Sequence, residues 1–195
     1  MPFFSVVIPV YNKANFLAKT LDSVINQEFE DFEVIIVNDG STDNSYEIIQ
    51  QFKDSRFKVF NKKNQGASLA RNFGVNQAQS KWIALLDGDD IWGNNHLQEL
   101  YKTIKNLPEA DVVSTAYQVE LHYHFIKQPT FSKTRPKTIN CIDDYFAYSF
   151  IDPLFWTSTL AFKKSCFMKI GGFDTQLSTG EDVDLIIRVN LQPFI

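Results

Sequence analysis

The stretch Leu85-Leu86-Asp87-Gly88-Asp89-Asp90 ends an apolar run in three carboxylates within four positions. Like charges this close repel, so the segment is either a solvated Asp-Gly turn or a cation site. Asp87 and Asp89 can reach one divalent ion, and hard oxygen ligands suit Mg2+ or Mn2+. Mg2+ commonly takes one or two protein carboxylates and fills its shell with water and substrate phosphates. A sparse Asp pair therefore goes with a phosphate-bearing ligand, leaving Asp90 to orient water or backbone. A further carboxylate, Asp39, follows Asn38 at the end of an apolar run. It either accepts hydrogen bonds from a base or ribose or caps the next helix, a task for which Asn38, Ser41 and Thr42 also qualify. Arg71 follows Gly66 by five positions in NQGASLARN. It either faces a ligand crevice or pairs with an acid, and the helix start at Gly66 offers N–H groups to an anion. Ser178-Thr179-Gly180-Glu181 matches a capping box. Glu181 is then the capping acid, and Asp182 is either a second acid compensating the helix dipole or a general base. Trp156 is either core or a stacking platform for a sugar ring. His96, His122 and His124 have no ligand spacing.

These residues need elements to carry them. Ser5–Val10 reads as a strand, and Asn12 as the cap of a helix with Ala14, Leu17, Ala18, Leu21, Val24 and Ile25 on one stripe. Phe32–Val37 is an almost continuous apolar strand, as in a sheet covered on both faces. Tyr46, Ile49 and Phe52 mark the next helix, and Phe57–Phe60 a short strand. Gly66–Gln77 reads as helix with Leu69, Ala70 and Phe73 inward, Trp82–Leu86 as strand, and Leu97, Leu100, Tyr101 and Ile104 as a fourth helical face. Such βα units pair in parallel with right-handed crossovers and carry functional residues at their strands' C-terminal ends. Tyr11, Asp39 and Asp87–Asp90 all lie there. In the second half, Asp111–Thr115 and Ser158–Phe162 read as strands. Val119, Leu121, Tyr123 and Phe125 alternate with polar residues like a half-exposed strand. Lys127–Thr138 is a basic loop, and Ile142–Tyr148 and Ser165–Ile170 are short helices. A last helix runs through Asp182, Leu185, Ile186 and Val189, with Asp184 and Arg188 pairing four apart.

The 195 residues suffice for one domain with a sizeable core. A net charge of −4 gives no basic face for nucleic acid. No apolar run approaches the roughly 20 residues of a spanning helix, and MPFFSVVIPVY has no leader pattern. Cys141 and Cys166 have no metal or redox spacing and fit a reducing compartment, although the two could pair with each other. The first strand lacks a glycine-rich dinucleotide turn, and no GxxxxGK[ST] occurs, which weighs against a dehydrogenase and a P-loop ATPase. The chain stops soon after Arg188, which raises C-terminal truncation as an expectation.

The set VVIPVYN (6–12), VIIVNDGSTD (34–43), NQGASLARNFG (64–74), ALLDGDD (84–90), GGFD (171–174) and GEDVDL (180–185) resembles glycosyltransferase family 2, inverting enzymes of GT-A fold, in order and spacing. The resemblance implies one α/β/α sandwich around a mostly parallel mixed sheet. Residues 1–110 would form a Rossmann-like nucleotide-sugar-binding half and 111–195 an acceptor-side half. It implies that Pro9 and Tyr11 line the nucleotide pocket, Asp39 binds the base and Arg71 helps hold the nucleotide. Asp87 and Asp89 correspond to the family's DxD motif, with Asp89 on a Mn2+ or Mg2+ ion, and Asp182 is the catalytic base. Asp90, Glu181 and Trp156 are auxiliary candidates. The implied donor is a nucleotide sugar, UDP-linked in the usual case, and the acceptor a glycan or glycolipid. A bacterial cell-envelope polysaccharide pathway is the family-level expectation. So is a cytoplasmic location, peripheral to the inner membrane face through parts beyond the chain's end. A nucleotide-sugar-binding module without turnover is the alternative. A sugar-1-phosphate nucleotidyltransferase would want a glycine-rich basic first loop, which PVYNKANF lacks.

Overall fold

The computed structural model describes residues 1–120, 126–130 and 151–190. Leu121, Tyr123 and Phe125 of the alternating strand, His122, His124, Cys141, the helix 142–148 and most of the basic loop lie outside the described residues. So do 191–195.

The first half alternates strand and helix: β1 (Phe4–Val10), α1 (Ala14–Ile25), β2 (Phe32–Asn38), α2 (Ser45–Gln51), β3 (Phe57–Asn61), α3 (Ala67–Gln77), β4 (Trp82–Leu85) and α4 (His96–Asn106). Then come β5 (Val112–Ser114), the short pair β6 (Val119–Glu120) and β7 (Ile126–Lys127), a 3-10 turn (Thr157–Thr159), β8 (Leu160–Lys163), α5 (Lys164–Lys169) and α6 (Glu181–Asn190). The main sheet has the order β3-β2-β1-β4-β8-β5. Its first four strands are parallel, with Val7 opposite Ile35 and Leu85. Antiparallel β8 lies between β4 and β5. This is the α/β sandwich around a largely parallel mixed sheet that the sequence leads one to expect.

Alternation along β1 builds both layers. Phe4, Val6, Ile8 and Val10 join Leu17, Leu21, Val24, Leu97 and Leu100 under α1 and α4. Val7 turns to the other face, with Ile35, Val37, Ala70, Val75, Phe173 and Leu185 under α3 and α6. Each fully buried Leu or Ile side chain contributes about 1.5–3 kcal/mol.

Several details depart from the sequence pattern. Ala18 is exposed, and the inward stripe of α1 is Leu17, Thr20, Leu21 and Val24. The polar Thr20 belongs there because its hydroxyl donates to the Gly88 carbonyl at 3.2 Å. Asn12 does not cap α1. It has a φ of 53°, and its Oδ1 accepts from the N–H groups of Thr42 and Asp43 at 2.8 and 3.3 Å. The orphan donors of the α1 start are instead met from the next loop, Lys13 N–H by Ser45 Oγ at 2.8 Å and Ala14 N–H by Asp43 Oδ2 at 3.0 Å. On α2, Tyr46 is exposed, Ile48 and Ile49 pack inward, and Phe52 lies past the helix end.

On α3, Leu69 faces out, contrary to its expected inward position. The reason is Gly74. A Cβ there would stand 2.4 Å from Val7 Cγ1 and 3.2 Å from Val37 Cγ2. That approach turns Ala70, Arg71, Gly74 and Val75 to the sheet and Leu69 to solvent. Gly74→Ala is therefore expected to destabilise. Its gain in helix propensity, up to about 1 kcal/mol, opposes overpacking of about 1–3 kcal/mol. Urea unfolding reads the net change, and an unchanged or raised midpoint would refute the tight contact.

Candidate active site

The ends of β2, β1 and β4 lie side by side, so the loops after them share one rim of the sheet. Asp39, Tyr11 and Asp87 are brought to that rim from three distant segments. Pro9 is buried in β1 opposite Val37, and Tyr11 just beyond the strand is 46% exposed.

Each carboxylate of the Asp87–Asp90 loop has a different partner. Asp87 Oδ1 accepts from Arg71 Nη2 at 2.7 Å and Nε at 3.3 Å. Asp89 pairs with Lys13 Nζ. Asp90 Oδ2 accepts from Ser158 Oγ at 2.5 Å. Ser158 also accepts the Asp87 N–H on its hydroxyl at 2.9 Å and the Trp92 Nε1–H on its carbonyl at 2.6 Å. One buried serine thus fastens three points of the loop. Burial, then the neighbouring Asp87 and Asp89 charges, push the Asp90 carboxyl up, against the Ser158 hydrogen bond and Lys13.

Arg71 is 5% exposed and reaches two chain segments. Besides Asp87, its Nη1 donates to Glu181 Oε1 at 2.8 Å, and its guanidinium lies 5.3 Å from the Phe173 ring centroid. Burial works against its charge, but Asp87 and Glu181 outweigh this and raise its pKa. Of the two sequence readings of Arg71, pairing with acids is the one seen here, to Asp87 and Glu181. Next to it, Asn72 clamps the GGFD loop, with Nδ2 donating to the Phe173 carbonyl and Oδ1 accepting the Phe173 N–H, both at 2.9 Å.

The capping box does not form as spelled. α6 starts at Glu181, and the first helical bond runs from Asp184 N–H to the Gly180 carbonyl, so Ser178 stands two residues too early. Glu181 turns to Arg71 instead. Asp182 follows, half-buried, with Oδ1 accepting the Val183 N–H at 2.8 Å and Oδ2 3.5 Å from Thr157 Oγ1. Burial is the main cause that raises the Asp182 carboxyl above its ordinary range, and the Glu181 charge adds to it. Asp184 and Arg188 pair as expected at 2.6 Å, and Arg188 also donates to the Ile170 carbonyl.

Asp39 is 2% exposed and already well supplied with donors. It accepts from Lys62 Nζ at 2.5 Å, Gly66 N–H at 2.8 Å and Gln65 N–H at 3.2 Å. A ligand base would share a carboxylate that also holds the loop opening α3. Trp156 is 46% exposed, which excludes the core reading, and the Tyr117 ring stands edge-on 6.1 Å away. His96 stacks on Trp92 at 4.2 Å, and burial pushes its pKa down to about 3. It is a neutral packing residue.

The sequence reading passed over Lys13 and Ser158. Lys13 follows VVIPVYN directly, so its place at a strand end was a usable signal. Ser158 gave none, because its partners lie 68 and 71 positions away. Among the described residues no group of three or more His, Cys, Asp or Glu side chains could hold a metal ion. A divalent ion nevertheless fits Asp89. Its side chain is 36% exposed and held by one flexible lysine, and donor phosphates can complete such a shell.

This rim gathers acids and a buried arginine at the strand ends of a mixed α/β sheet. The model of glycosyl transferase family 2 matches residues 5–171, and the chain belongs to that family. An uncharacterized glycosyltransferase of Rickettsia bellii is 47% identical over 95 residues, 48% of this chain and 14% of that protein. Glycosyltransferase GlyG of Streptococcus pneumoniae is 38% identical over 116 residues, 58% of this chain and 38% of that protein. The chain thus spans less than two thirds of either relative. S. aureus TarS 1–349 in complex with UDP superposes with a TM-score of 0.74 at 22% identity, over 96% of this chain and 55% of that one. The mannosyltransferase PcManGT from Pyrobaculum calidifontis, in complex with GDP-Man and Mn2+, gives 0.71 at 19%, over 96% and 52%. At these identities the likeness establishes the GT-A architecture. No helix among the described residues is long and apolar enough to cross a membrane.

Proposed function

We propose that the chain transfers a sugar, with inversion, from a UDP-sugar to a hydroxyl of a glycan or glycolipid acceptor. The observation that carries this reading is the Arg71 bridge. It ties the carboxylate loop to Glu181, the neighbour of the half-buried Asp182. Pro9, Tyr11 and Asp39 hold the nucleoside, and Asp87 and Asp89 face the ribose and diphosphate. Mn2+ or Mg2+ on Asp89, when bound, offsets the charge of the leaving diphosphate.

Asp182 accepts the acceptor hydroxyl proton as that oxygen attacks the anomeric carbon. The bond from that carbon to the diphosphate oxygen breaks on the opposite face, and its electron pair leaves with the nucleoside diphosphate. A carboxylate is a far weaker base than an alkoxide, so the proton moves late, as the carbon–oxygen bond forms. No acid protonates the leaving group, unlike the paired carboxylates of glycosidases. Exposed Trp156 lies on the acceptor side as a stacking surface.

Calorimetric titration with UDP, with and without Mn2+, tests the donor half. The metal is expected to tighten binding about tenfold, equivalent to about 1.4 kcal/mol. Asp89→Ala is expected to remove that gain. An affinity indifferent to metal in the unsubstituted chain would defeat the assignment of Asp89. Tight UDP binding with no transfer from any nucleotide sugar would favour a binding module.

A further inference from the structure

We infer that Lys13 is a built-in placeholder cation for Asp89, which an incoming divalent ion must displace. The inference rests on the donor reading given above, and the evidence is an asymmetry among the three loop carboxylates. Asp87 is held by Arg71, a 5% exposed guanidinium also engaged by Glu181. Asp90 is held by Ser158, a 6% exposed residue fixed by two further hydrogen bonds. Asp89 alone is held by a flexible ammonium, with side chains 35% and 36% exposed.

The lysine is steered there by the backbone. Its N–H is anchored on Ser45 Oγ at 2.8 Å. Its stem crosses Gly88, where an added Cβ would stand 3.3 Å from Lys13 Cγ and 3.2 Å from the Pro9 carbonyl oxygen. The glycine between the two aspartates thus opens the path by which the ammonium reaches Asp89. A free ammonium on a four-carbon stem is a compact point charge that swings away at small cost. A metal carried in on a diphosphate bears twice that charge and adds the phosphate oxygens. Lys13 therefore offsets the Asp89 charge when no donor is present and sets the metal concentration at which donor binding tightens.

The test is the Mn2+ concentration giving half-maximal UDP binding, measured by calorimetry on the whole chain. Lys13→Met keeps the stem and removes the charge. The midpoint is expected to fall about two- to fivefold, the size of one partly exposed ion pair, while UDP binding in chelator weakens. Lys13→Arg grips the carboxylate through two parallel hydrogen bonds, and the midpoint is expected to rise. In an Asp89→Asn background Mn2+ should no longer tighten UDP binding, and neither change should restore that dependence. An unmoved midpoint in both single variants overturns the inference. So does an equal loss of UDP affinity with and without Mn2+ in Lys13→Met, which would make Lys13 a direct phosphate contact. If the unsubstituted chain binds UDP without regard to Mn2+, the assignment of Asp89 falls and this inference falls with it; if it does not bind UDP at all, the donor reading itself falls.

Discussion

Asp182→Asn is expected to leave UDP and metal binding nearly intact and to lower transfer roughly 10²–10⁴-fold, the usual contribution of a positioned general base. Asn matches Asp in shape and keeps an oxygen for the Val183 N–H, so the start of α6 should hold. What it loses is the ability to take a proton. A general base must be ionised to take a proton, and the Asp182 carboxyl is raised by burial and by the Glu181 charge. Activity should therefore fall on acidification at a higher pH than an ordinary Asp, near 3.9, would dictate. Glu181→Gln removes the neighbouring negative charge and should move that acid limb to lower pH. A matching loss of UDP affinity in Asp182→Asn, or a limb that Glu181→Gln leaves in place, would take the base role from Asp182.

Arg71→Met is expected to cost about 3 kcal/mol in unfolding free energy and to abolish measurable donor binding. Breaking a buried ion pair from one side costs about 3–5 kcal/mol, because the partner charge stays behind without compensation. The lower end applies, since the Asp87 and Glu181 side chains retain 26% and 19% exposure. Arg71→Lys should recover only part of either loss. A single ammonium cannot reproduce the fork that reaches Asp87 with two nitrogens and Glu181 with a third. Denaturant unfolding and UDP calorimetry on the same variants separate the two effects. A stability loss of about 0.5 kcal/mol or less, the level of an ordinary surface change, would show that the bridge does not hold the two segments.

The sheet and the helix order were legible in the sequence because β1, β2 and β4 are apolar on both faces and their loops carry the polar residues. What was not legible comes from contacts distant along the chain. Leu69 looks like a core residue until Gly74 presses α3 against Val7. Asn12 looks like a cap until the chain turns at positive φ and the loop at 42–45 supplies the donors' partners. Glu181 spells a capping box, but the buried Arg71 outcompetes that use. The site acids were visible by type and position. Their sorting was not, because Lys13 and Ser158 have partners 76 and 68 residues away.

The mutual fastening of the first two strand-end loops bears on the order of synthesis. The α1 start is completed by Asp43 and Ser45, and Asn12 in turn receives the N–H groups of Thr42 and Asp43. While a ribosome has released only the first forty residues, the turn that presents Tyr11 and Lys13 lacks its partners at 41–45. The second loop supplies those partners, so these two loops are expected to order as a pair rather than one at a time. Loss of function in a variant of Asn12, Asp43 or Ser45 would then report a rim that never closed, not a lost contact with substrate.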